Sequence, residues 1–128
     1  HPQTTPDVTS DLGDNALVLR LTYGNTSFLL TSDVTQAGQF AMLDSDQYLG
    51  ATVLQIPQHG TARSLSSDFL AEVNPQVAVI QFDEANRRGD PDINVLSQLE
   101  DMPLFTTGEN GTLHLWTDGT TLWAVSQN

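Results

Sequence analysis

At 128 residues, with 38% hydrophobic content, the chain is long enough for one packed domain or part of one, and no apolar run approaches the ~20 residues of a membrane span. The absence of cysteine excludes disulfides and thiolate metal sites. A formal charge of −12 without a single lysine argues against a broad nucleic-acid footprint, because counterion release needs many cations.

Residues 1–14 are rich in Pro, Thr and Asp without periodicity, so they read as an extended lead-in and not as a signal peptide. Residues 16–23 alternate, with Leu17, Leu19 and Leu21 on one face and Val18, Arg20 and Thr22 on the other. Gly24-Asn25 follows, then a second apolar run over 26–31, which together predict a β-hairpin. Val34, Ala37, Phe40 and Ala41 have helical spacing over 34–44, and Asp33 stands where it would cap that helix.

Residues 51–56 predict a strand closed by Pro57. Ser66-Ser67-Asp68 opens a short helix that buries Phe69, Leu70 and Val73 and stops at Asn74-Pro75. Residues 77–82 are almost continuously apolar, as in a strand covered on both faces. Pro91 marks a helix start, with Ile93, Val95, Leu96 and Leu99 as its buried side. A strand at 104–106, a turn at 109–111 and strands over 112–117 and 120–125 around Asp118-Gly119 complete the pattern. Strand–helix alternation with hairpins at both ends specifies an α/β fold, a layered β-sheet with flanking helices, in one domain spanning 1–128. Trp116 and Trp123 face each other across the last hairpin as core or interface packing. His114 alternates with Leu113 and Leu115 and faces solvent or the other layer.

Three segments stand out in order. Ser27-Phe28-Leu29-Leu30-Thr31-Ser32-Asp33 is an apolar strand ending in a carboxylate. Ala51 to Ile56 runs into Pro57-Gln58-His59-Gly60, and Gln76 to Phe82 is followed by Arg87-Arg88-Gly89-Asp90-Pro91-Asp92. Strand–Asp, strand–His–Gly and strand–Gly–x–Pro in this order resemble the second half of a metallo-β-lactamase-fold hydrolase. More specifically, the chain resembles the C-terminal extracytoplasmic domain of ComEC-type DNA-uptake membrane proteins, and the resemblance runs from about Asn15 to Ala124.

That resemblance implies half of an αββα fold, with its site at the loop ends of the strands. It also implies a partner layer, which is either the missing N-terminal half of the domain or a second copy in a homodimer. Leu17, Leu19, Phe28, Leu30, Val53, Val77 and Val79 would form the face that meets it. No direct membrane insertion is expected of this chain. DNA would be a partner through the parent protein, on the outer side of the bacterial plasma membrane.

In such hydrolases a His-x-His-x-Asp-His cluster and further Asp and His residues hold metal ions that activate water. The string is absent here, and the only histidines are His1, His59 and His114. Ser32 stands for the Gly of a Thr-Gly-Asp motif that ends in Asp33. Gln58 stands for the first His of His-His-Gly-Ser, and Asp90 and Asp92 stand for both histidines of Gly-His-Pro-His. The resemblance therefore implies at most a weak divalent-cation site at Asp33, His59 and Asp90, for Mn²⁺, Mg²⁺ or Zn²⁺. Arg63, Arg87 and Arg88 are candidate phosphate readers, because guanidinium matches phosphate in a bidentate fork.

Each candidate has a plain structural reading beside the functional one. Asp33, Asp90 and Asp92 can be helix caps, and capping needs no further partner. His59 can be a hydrogen-bonded loop residue, and the arginines can balance Asp83, Glu84 and Asp90 on a solvated face. The composite expectation is a degenerate, non-catalytic domain. Its alternatives are a nuclease whose remaining ligands lie upstream of His1, and a structural or dimerisation module.

Overall fold

The fold is described from a computed structural model over residues 16–86 and 89–127. The expected lead-in at 1–14 lies outside the described residues, as do Arg87 and Arg88. The protein is mixed α/β, with a five-stranded sheet in the order β1-β2-β3-β4-β5 and a separate two-stranded ribbon, β6-β7.

Strands β1 (Leu19–Tyr23) and β2 (Thr26–Leu30) form the expected antiparallel hairpin, with Tyr23 opposite Thr26. The two-residue connection works because Gly24, its first central residue, has a φ of 60°, which costs glycine nothing. Strands β3 (Val53–Gln55), β4 (Val77–Ile80) and β5 (Leu104–Thr106) then add in parallel. Each parallel step is bridged by a helical crossover: α1 (Gln36–Leu43), α2 (Ser67–Val73) and α3 (Ile93–Gln98). A short helix, α4 (Thr107–Asn110), occupies the start of the expected 109–111 turn. The ribbon of β6 (Thr112–Thr117) and β7 (Leu122–Gln127) follows.

One face of the sheet carries Leu29, Leu54, Ala78 and Ile80, and these pack with Phe69 and Val73 of α2 and with Val95 and Leu99 into a single core. Phe28, Leu30, Val53 and Val79 alternate with them and so lie on the opposite face. There they line a cavity of about 840 Å³ together with Leu113 and Leu115 of β6. The ribbon thus covers part of that face. Leu17, Leu19, Leu21 and Tyr23 along the β1 edge remain exposed.

Three local expectations are corrected. Asp33 does not cap α1; Thr35 does, its hydroxyl accepting from the Gly38 amide at 3.2 Å, because the helix begins three residues after Asp33. The buried side of α1 is Gln39 with Met42 and Leu43 partly covered, while Ala37, Phe40 and Ala41 face solvent. Gln39 is fully buried because its amide is satisfied twice, donating to the Ser64 carbonyl at 2.7 Å and accepting from the Ser66 N–H at 2.8 Å. Ile93 is exposed, since α3 turns only Val95, Leu96 and Leu99 inward. The capping expectation for Asp92 holds: its carboxylate accepts from the Asn94 amide at 2.9 Å.

Candidate functional site

The carboxyl ends of parallel strands are where side chains from successive loops converge. The loop after β2 presents Asp33, the loop after β3 presents His59, and the loop after β4 carries Asp90. Asp33 Oδ1 and His59 Nε2 are 4.0 Å apart, and both side chains are more than half exposed. His59 and Asp90 line one cavity of about 380 Å³, with Asp83, Asn86 and Thr107. Asp33 and His59 share a second, smaller one with Ser32, Gln55 and Gln81. Arg63 is exposed in the loop beyond His59, with a φ of 64°.

The orientation of His59 is set by its other nitrogen. Nδ1 lies 2.8 Å from the Gln81 carbonyl. A carbonyl only accepts, so Nδ1 carries the hydrogen and Nε2 is turned outward, on the side of Asp33. Metal-binding histidines are held in this way by a backbone carbonyl. The number of donors is the obstacle. A resident zinc takes three or four protein ligands. Among the described residues no three His, Cys, Asp or Glu side chains are grouped so as to hold a metal ion. Asp33 and His59 form a two-donor pair, which does not fit a resident divalent ion.

The backbone around the pair is unusual. Ser32, Gln58 and His59 have φ values of 54°, 53° and 59°, a region L-residues enter at a cost, and Gly60 continues the run at 73°. Ser32 sits where the resembling motif has glycine, and its positive φ explains why glycine suits that position.

Sequence reasoning overlooked two neighbours, Gln55 and Gln81. Gln55 accepts from the Thr31 amide at 2.9 Å and the Ser32 amide at 3.2 Å, and its Nε2 donates to Gln81 Oε1. Their signal in the sequence is a glutamine interrupting an apolar run, in Val53-Leu54-Gln55-Ile56 and Val79-Ile80-Gln81-Phe82.

Comparison with known proteins finds similarity along most of the chain. Over 110 residues, 84% of the chain, the sequence is 29% identical to ComE operon protein 3 of Bacillus subtilis (strain 168). A second similarity, 34% identity over 79 residues or 60% of the chain, is to the uncharacterized protein YcaI of Escherichia coli (strain K12). The matched spans are 14% and 10% of those proteins' lengths, so the similarity concerns one small part of much larger chains. No family model matches the chain, and no solved structure matches it. Among the described residues no helix is long and apolar enough to cross a membrane.

Proposed function

We propose that this chain is a degenerate, non-catalytic metallo-β-lactamase-like domain of a ComEC-type bacterial DNA-uptake membrane protein, carried on the extracytoplasmic side of the plasma membrane. The observation that carries this reading is the similarity to ComE operon protein 3 along most of the chain, combined with a loop-end site reduced to Asp33 and His59. Water activation by a metal needs a ligand set that leaves one position open, and two donors do not build one. DNA reaches such a domain through the parent protein. The domain's own charge of −12 gives it no electrostatic attraction for a phosphate backbone.

The test pairs two measurements on the parent protein that contains this domain. Single- and double-stranded DNA incubated with Mn²⁺, Mg²⁺ or Zn²⁺ stays intact, whereas deletion of the domain lowers uptake of labelled DNA by cells. Metal-dependent cleavage abolished by Asp33→Ala would sink the non-catalytic reading in favour of a second one, a nuclease completed by ligands upstream of His1. The outward-facing Nε2 of His59 favours that second reading. Arg63, Arg87 and Arg88 would then read phosphate, and their loss would weaken DNA binding at low salt.

A third reading, a structural or dimerisation module, is favoured by the exposed row Leu17, Leu19, Leu21 and Tyr23. Apolar rows of this kind mark surfaces that another layer covers. Either the N-terminal half of the domain or a second copy would cover this one. Light scattering of the isolated chain distinguishes the two, since a stable homodimer buries at least ~1,000 Å².

A further inference from the structure

We infer that Gln55 is the positioning residue of the loop-end site, and that its side-chain amide, bonded to that of Gln81 and acting alongside that of Gln58, fixes the Asp33–His59 pair without a metal ion. The pair cannot fix itself: both side chains are largely exposed and 4.0 Å apart, and ion pairs in water hold little geometry. The backbone beneath it is also in a conformation that needs support, with Ser32, Gln58 and His59 all at positive φ.

Three glutamines supply that support by hydrogen bonds between the loops. Gln55 Oε1 accepts from the Thr31 and Ser32 amides at the end of β2, and the Thr31 hydroxyl donates to the Gln55 carbonyl at 2.6 Å. Gln55 Nε2 reaches across to Gln81 Oε1 at the end of β4. The Gln81 carbonyl takes the Nδ1 hydrogen of His59. Gln58 ties the same two loops from outside, its N–H donating to the Ser32 carbonyl and its Nε2 to the Asp33 carbonyl, both at 3.1 Å. Asp33 and His59 are thus each anchored at a backbone or ring atom, with Oδ1 and Nε2 left facing each other.

A bound cation would connect the same loops through the functional atoms of the pair, and its hold would vanish with chelation or acid. Amides are neutral and do not titrate, so this hold is indifferent to both. The arrangement is the same whether or not the parent protein cuts DNA, so a cleavage result and the result below fail independently.

The test is heteronuclear NMR on the protein, reading the exchange of the Thr31 and Ser32 amides and the tautomer of His59 from its ring ¹⁵N shifts. In the wild type both amides are protected, His59 carries its hydrogen on Nδ1, and EDTA changes neither. Gln55→Met, of similar length but without hydrogen bonds, raises exchange at Thr31 and Ser32 at least tenfold and moves His59 toward the Nε2–H tautomer. Gln55→Glu keeps the acceptor, and Gln81 can turn its amide to donate to it, so this variant restores both readouts. Unchanged exchange and tautomer in Gln55→Met would overturn the inference, as would equal loss in Gln55→Glu. If Gln55→Met does not fold, the wild type alone still decides: an Nε2–H tautomer, or readouts that collapse with EDTA and return with Zn²⁺ or Mn²⁺, refute it.

Discussion

Replacing Gln39 by leucine makes α1 look better in the sequence and the protein worse. Helix propensity hardly changes, because Leu and Gln are both good helix formers. Gln39 is fully buried, however, and its amide is the partner of the Ser64 carbonyl and the Ser66 N–H. Leucine leaves both groups buried without that partner, at about 1–3 kcal/mol each. The apolar side chain recovers about 1.5–3 kcal/mol of burial, which offsets part of the loss. The net destabilisation is about 1–3 kcal/mol, with the loss concentrated in the loop between His59 and α2. Urea denaturation gives the magnitude, and hydrogen exchange at Ser66 gives the place. The neighbouring substitution Phe40→Gln is the control, because Phe40 is 46% exposed and its change should stay within about 0.5 kcal/mol. A Gln39→Leu protein as stable as the wild type, or a Phe40→Gln protein that loses more, would refute the assignment of the buried face.

Two further outcomes follow from the turn regions. Gly24→Ala puts a Cβ 2.6 Å from the Gly119 carbonyl oxygen, where the tip of the β6-β7 ribbon rests on the first hairpin, and Gly24 also needs its positive φ. A loss of at least about 2 kcal/mol is expected by denaturation, with the Asn25 amide, which donates to the Gly119 carbonyl, losing protection first. Asp118 accepts from the Thr121 and Thr120 amides, and these hold its carboxyl below the ordinary value of 3.8. Its folded form therefore gives up its proton more readily than its unfolded form. The ribbon gains stability from it above that pH and loses it as the pH falls through the lowered value. A carbon-detected titration of Asp118 with a midpoint at or above 3.8 would contradict this, and Asp118→Asn should flatten the acid side of the stability profile while keeping the turn.

The hairpin at Gly24-Asn25, the apolar strands, the helix buried through Phe69 and Val73, and the cap at Asp92 could be read from the sequence because each rests on local rules. Turn residues, period-two and period-3.6 patterning, and side-chain capping act over a few residues and leave a visible mark. The loop-end position of Asp33, His59 and Asp90 was legible for a related reason: the order of strand–Asp, strand–His–Gly and strand–Gly–x–Pro fixes which strand ends carry them. The pairing of Asp33 with His59, and the absence of a third described donor beside them, depended on how far apart three loops come to rest. That distance is set by hydrogen bonds between residues about 25 positions apart, such as Gln55 to Thr31 and Gln81 to His59. Tertiary structure also decided the inner face of α1 against the apolar pattern. The inner position goes to a glutamine whose amide is satisfied at both ends, while Phe40 stays 46% exposed.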